Sequence, residues 1–85
     1  MVWKVYLLKC NDGSLYCGVA KDVKARVATH NLGKGAKYTR SRLPVAIVAV
    51  SPGFTKRKAF QLEYRVKRLP AHKKRDMILK EHTIE

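Results

Sequence analysis

Acidic residues are scarce in this chain. Six Asp and Glu face nineteen Lys and Arg, which leaves a formal charge of +13 spread from Lys4 to Lys80. The shortage argues against a two-metal nuclease centre, which needs several carboxylates, and leaves room for one Mg²⁺ held by one acid, waters and substrate oxygens. Cysteine is nearly absent: Cys10 and Cys17 form no CxxC pair and no metal-ligand spacing. They read as small strand hydrophobes in a reducing compartment. Long apolar runs are missing as well. The VYLL stretch at Val5–Leu8 is too short for a secretory core or a membrane span, so a cytoplasmic location without membrane contact is expected. Without repeats or a long linker, residues 1–85 are read as one domain, with a monomer as the simplest state.

What remains is an ordinary globular composition under an unusual charge. Hydrophobic residues at 46% suffice for a core and exclude wholesale disorder. A small domain this basic suits a polyanion, and nucleic acid, DNA first, is the expected partner. An anionic membrane surface is the weaker alternative, because no segment is a purely basic amphipathic helix.

Two strand-like runs, WKVYLLKC and SLYCGVA, flank Asn11-Asp12-Gly13. The turn is either a two-residue type I′ loop or a three-residue loop with Gly13 left-handed in a bulge. The choice decides the faces. With three residues, Leu8 pairs with Tyr16 and Tyr6 with Gly18, so both tyrosines share a face and the bare Gly18 leaves space beside the Tyr6 hydroxyl. Cys10 and Cys17 then point to opposite faces, which forbids a disulfide between them.

Asp22 is a suitable cap for a first helix that stops near Asn31 or Gly33. NLGKGAKYTRSRLP reads as a loop, and VAIVAVS as a third strand buried on both faces. Thr55 caps a second helix that Pro70 ends, and HKKRDMILKEH forms a third with Met77 and Ile78 inward. The fold class is α+β, order β-β-α-β-α-α. A right-handed crossover puts the third strand beside and antiparallel to the first, in a sheet expected to be mixed, with helices flanking it.

Five of the six acids have ordinary uses: Asp12 in the turn, Asp22 in a cap, Asp76 among lysines, Glu81 and Glu85 near the end. Glu63 differs. It borders the apolar stripe Ala59, Leu62, Val66, Leu69, where a carboxylate must pair or bind something. The plain reading is an ion pair with Lys67 one turn on; the functional one is a metal ligand. Arg26 and His30 are also one turn apart, either a solvated face or an Arg fork for a phosphate oxygen beside an imidazole that moves a proton. Tyr6, Tyr16 and Tyr38 serve equally as half-buried aromatics. His72 and His82 read as surface residues, and Trp3 as core.

VYLL at Val5–Leu8, YCG at Tyr16–Gly18, and AKDVKARVATHN with Arg26 and His30 together resemble the GIY-YIG nuclease domain, with Glu63 where that family keeps its metal-binding glutamate. HNLGKGAKYTRSRLPV is similar to the family's small stand-alone bacterial branch. The resemblance covers about residues 3–69. Lys4 replaces the first signature glycine, and Val19 stands where some relatives carry a lysine, so that role passes to Lys21 or disappears.

The resemblance implies a three-stranded sheet with flanking helices, and an endonuclease that hydrolyses phosphodiesters in DNA or RNA with one Mg²⁺ or Mn²⁺. Tyr6 would help deprotonate water, through a pKa lowered by positive surroundings or through a relay with His30. Tyr16 would orient water or phosphate, Arg26 would neutralise growing charge, and Glu63 would hold the metal. Gly18 would be the open floor. Lys21, Lys34, Lys37, Tyr38, Arg40 and Arg42 are the candidate nucleic-acid contacts. Such contacts position rather than read, so little sequence specificity is expected. The competing reading is a binding module of the same fold with little turnover.

Overall fold

A computed structural model describes residues 2–80; Glu81, His82 and Glu85 lie outside the described residues. Strand β1 (Lys4–Lys9) and β2 (Leu15–Ala20) form a hairpin, followed by α1 (Val23–Asn31), a short α2 (Lys37–Arg40), β3 (Ala46–Val50), α3 (Lys56–Lys67) and α4 (Ala71–Lys80). The sheet is antiparallel throughout, which corrects the expected mixed sheet, because both neighbours of the central β1 run against it in the order β2-β1-β3. No described helix is long and apolar enough to cross a membrane.

The turn is the three-residue loop. Gly13 has φ +85°, and Cys10 N–H donates to Ser14 C=O at 2.8 Å. Asp12 accepts from Ser14 N–H at 3.0 Å, a short Asx-type bond that stiffens the turn. This register sends alternate residues to two cores. Val5, Leu7 and Cys17 pack with Ala59, Leu62, Val66 and Ile78 of α3 and α4; Tyr6, Leu8, Cys10 and Ala20 pack with Val23 and Val27 of α1. Cys10 and Cys17 are free, each in its own core. Trp3 is partly buried against the α3 and α4 side, bridged to Phe54.

The helix ends follow sequence chemistry. Asp22 accepts from Ala25 N–H at 3.1 Å, Thr55 accepts from Lys58 N–H at 3.2 Å, and Gly33 leaves α1 at φ +79°. Ile78 is buried and Met77 partly so, while His72 is exposed.

Two further expectations are corrected. β3 is not buried on both faces: Ala46 and Ile47 are exposed, Ile47 to 45%. β3 is a sheet edge and is bulged, with Leu7 opposite Ala49 and Leu8 opposite Ile47, so Val48 is the extra residue. Val48 and Ala49 therefore both pack toward α3 and α4, which accounts for an apolar run without two-sided burial. The segment read as a continuous loop also contains α2, held by Thr39 and Arg40 N–H bonds to Ala36 C=O.

Candidate active site

The hairpin register builds the floor. Tyr6 pairs with Gly18 and Leu8 with Tyr16, and the two tyrosine rings stand on the α1 side with centroids 6.5 Å apart. A Cβ on residue 18 would overlap Oη and Cζ of Tyr6. Glycine is needed there because the phenol lies across the backbone of β2, so the expectation of an open floor at Gly18 is corrected: Tyr6 itself fills the space.

Helix α1 supplies the rest of the wall. His30 is 1% exposed, with Nε2 3.0 Å from Tyr6 Oη and Nδ1 2.9 Å from Thr39 Oγ1. The Thr39 hydroxyl donates its proton to Ala36 C=O at 2.9 Å. A hydroxyl has one proton, so Thr39 Oγ1 must accept from His30 Nδ1–H. Nε2 then carries the lone pair and accepts from the Tyr6 O–H, which assigns the tautomer. The bare Gly35 lies against the same imidazole, where a Cβ would overlap Nδ1 and Cγ.

Tyr16, Arg26, Thr29, His30, Lys34, Gly35 and Ala36 line a polar pocket of about 480 Å³; Tyr6, 1% exposed and bonded to His30, does not itself line it. Burial, with the neighbouring Tyr16 phenol adding to it, pushes the Tyr6 phenol up to about 12; the Arg26 charge opposes this only in part. The expectation that positive surroundings lower the Tyr6 pKa is therefore corrected. Burial, and then the Arg26 charge, hold the His30 imidazole below its ordinary value, so it stays neutral at neutral pH. The second route, a hydrogen-bonded relay from Tyr6 to His30, is the one whose geometry is present.

Of the six candidate nucleic-acid contacts, Lys34 lines this pocket. Tyr38 stacks on Tyr16 at 6.1 Å between centroids, with planes 22° apart. Arg42 braces that stack: its guanidinium lies 3.9 Å over the Tyr38 ring, Nη1 donates to Tyr38 C=O at 2.7 Å, and Nε donates to Asp12 at 3.0 Å. Ser14 first, and then Arg42, hold the Asp12 carboxyl below its usual range. Arg40 Nε donates to Gly35 C=O at 3.3 Å, and Lys37 is exposed on α2. Lys21 lies 5.0 Å over the Trp3 ring, and Val19 packs against the α3 and α4 core. Neither lines the pocket.

Glu63 is not in the pocket either. It lies on α3, behind the opposite sheet face, and pairs with Lys67 at 3.2 Å with its own side chain only 16% exposed. Its charge adds to the burial that pushes the Cys17 thiol up to about 12, and Cys17 lies between Tyr16 and Gly18 on β2. The carboxylate and the tyrosines thus border the same edge strand from its two faces.

Three residues gain a role that the sequence left unassigned. Thr39 and Gly35 shape the imidazole site. Asn31 ties the end of α1 to Val45, donating to its C=O at 3.1 Å and accepting from its N–H at 2.8 Å. The signal available was the lone threonine and the second glycine of GKGAKYT, which loop composition alone had explained.

The family model of the GIY-YIG catalytic domain matches residues 2–76. A UPF0213 protein of Staphylococcus epidermidis is 54% identical over 74 residues, covering 87% of this chain and 90% of its own length. A UPF0213 protein of Bacillus pumilus is 51% identical over 80 residues, covering 94% and 81%. A UPF0213 protein of Bacillus halodurans, solved by solution NMR, is 46% identical with a TM-score of 0.55, over 92% of this chain and 83% of that one. Agreement along nearly the whole chain, and not at the signature residues alone, places this protein in the GIY-YIG nuclease family, among its small bacterial UPF0213 members.

Proposed function

We propose that the protein hydrolyses phosphodiester bonds in DNA or RNA, with one divalent ion and little sequence preference. The oriented chain Tyr6–His30–Thr39 beside Arg26 carries this reading, because a pure binding surface needs no buried proton relay. Tyr6 Oη accepts a proton from the attacking water as its own proton passes to His30 Nε2. A phenol with a pKa of about 12 is protonated at neutral pH and cannot act alone. The relay removes that obstacle. Tyr16 orients the water or a phosphate oxygen, and Arg26 stabilises the growing negative charge.

Among the described residues no three His, Cys, Asp or Glu cluster as a closed metal cage. Glu63 offers one hard oxygen, which suits Mg²⁺ or Mn²⁺ that keeps waters and substrate phosphate as its other ligands. Such an ion would neutralise charge on the leaving oxygen. Glu63 and Tyr6 act on one phosphate only if the substrate lies across the β2 edge. The bare Gly18 serves that arrangement by letting the Tyr6 phenol lie across β2. Lys34 and Lys37 contact the flanking phosphates and read no bases. Tyr38, Arg40 and Arg42 shape the rim of the pocket more than they bind.

The test is incubation of the purified protein with single-stranded, duplex and branched DNA and RNA, with Mg²⁺, with Mn²⁺ and with chelator. Metal-dependent cleavage is expected. Tight binding with no cleavage of any substrate would favour the binding module.

A further inference from the structure

Helix α3 turns Ala59, Leu62 and Val66 to the core. The opposite face of a soluble helix is normally polar. Here it carries Phe60 at 43% exposure and Tyr64 at 63%, one turn apart. Arg57, Phe60, Gln61, Tyr64 and Arg65 line a shallow cleft of about 560 Å³. Arg68 Nη1 donates to Tyr64 Oη at 3.0 Å, and its guanidinium lies 5.3 Å from the ring centre, which fixes the tyrosine outward. Phe60 is set against Trp3, with centroids 6.0 Å apart. Both rings are therefore held as platforms.

We infer that this outer face of α3 is a second nucleic-acid contact, which stacks unpaired bases on Phe60 and Tyr64 and holds their phosphates on Arg57 and Arg68.

Charge complementarity selects the occupant. From Lys56 to Arg68 the single acid is Glu63, and it is engaged by Lys67. A polyanion fits this face. The exposed rings narrow the choice further, since a base offers a flat π-face followed by a phosphate, and aromatic platforms between cations recognise that alternation. Bases in a duplex keep their faces inside the stack, so the surface is selective for single strands. An acidic protein segment would satisfy the arginines but lacks the alternation of flat base and phosphate that the two rings between cations fit. Position agrees as well. Glu63 follows Phe60 by three residues and so flanks this face on the Phe60 side, which brings a strand that meets Glu63 to Phe60 first. The inference extends the proposed nuclease reading by naming a substrate feature, an unpaired stretch beside the scissile phosphate.

Binding in chelator separates this surface from catalysis. Fluorescence anisotropy of labelled oligothymidylate and of a labelled duplex is measured for wild type, Tyr64→Ala, Tyr64→Trp and the Phe60→Ala, Tyr64→Ala pair. Melting curves for each verify folding, which the exposed Tyr64 scarcely supports. Single-strand affinity should drop at least about tenfold in the double variant, with duplex affinity changed less than about twofold, and Tyr64→Trp should keep wild-type binding. Unchanged single-strand binding, or equal loss on both probes, overturns the inference. So does polyglutamate competing as well as oligothymidylate at matched charge, or sedimentation showing a wild-type dimer that the double variant dissolves. Failure of the nuclease reading would appear elsewhere, as absent cleavage by wild type with metal.

Discussion

Tyr6 Oη lies 3.0 Å from His30 Nε2, and Thr39 on the far side of the ring decides which atom carries the proton. Thr39→Val keeps the shape and removes the acceptor for Nδ1–H, which then costs about 1–3 kcal/mol as a buried unpaired donor. With the tautomer released, Nε2 becomes a donor facing another donor, and turnover should fall at least about tenfold, within the range of acid–base contributions. Thr39→Ser should restore it. Nitrogen NMR of His30 reads the tautomer directly; an unshifted Nε2 in Thr39→Val would sink the assignment.

The pH response follows from the same imidazole. Its pKa lies below 6.5 in the fold. Neutral His30 is the form that accepts from Tyr6, so activity should persist down through pH 6.5 and fall only at lower pH. The stability sign agrees with this. A histidine whose folded pKa is depressed gives full stability above the unfolded value, and loses it as pH falls through the folded one. Melting temperature should therefore decline below pH 6.5, and His30→Gln should flatten that decline. A rate that is already halved near pH 7 would contradict the burial argument.

Gly18→Ala adds a Cβ that overlaps the Tyr6 Oη and Cζ. The phenol must move, and overpacking of this kind costs roughly 1–3 kcal/mol. Activity should fall further than stability alone accounts for, because Tyr6 leaves His30. Gly18→Ala combined with Tyr6→Phe should be less damaging to stability than the sum of the two, since one of the overlapping atoms is gone. Additive melting shifts would argue that the contact is not what excludes a side chain at 18.

These sites differ in how far the sequence revealed them. Gly18 and Tyr6 were legible because strand register is arithmetic once the turn length is set, and Asn-Asp-Gly offered only two lengths. Asp22 and Thr55 were legible because a cap is a local interaction. β3 was not, since a bulge is a departure from alternation, and an apolar run looks the same whether both faces are buried or two neighbours turn to one face. The Tyr6 pKa was misjudged for a related reason. Nearby Arg26 is visible in sequence, whereas the burial that outweighs it belongs to the tertiary packing. Thr39 was missed because it contacts His30 across nine residues, through a short helix that glycines and lysines disguise as loop.

Nucleic-acid binding should be steeply salt-dependent. If ~6–10 phosphates are contacted, affinity should drop on the order of 10³–10⁵-fold between about 50 and 200 mM salt. Lys34→Ala should reduce the slope of log affinity against log salt by about one. Arg42→Ala should barely change it, because Arg42 is already paired with Asp12 and stacked on Tyr38. The opposite ranking would place the docking face on the Arg42 side of the loop.

Glu63→Gln distinguishes an enzyme from a binder. The amide keeps the side-chain shape and removes the charge a divalent ion requires. If Glu63 holds the metal, cleavage should collapse at least about 10²-fold, and binding in chelator should hold or tighten, since one repelling charge has gone. If Glu63 serves only its ion pair with Lys67 at 3.2 Å, the change is small, because helical pairs of this spacing contribute about 0.3–0.5 kcal/mol. Lys67→Met separates the two roles from the other side. It breaks the pair and leaves the carboxylate free, so a metal ligand should keep or raise its activity at low Mg²⁺, whereas a structural pair should lose the same small stability as in Glu63→Gln. Cleavage against Mg²⁺ concentration and melting temperature, taken on both variants, decide the matter. Full metal-dependent cleavage by Glu63→Gln would remove Glu63 from the mechanism and leave Tyr6, His30 and Arg26 to act without it.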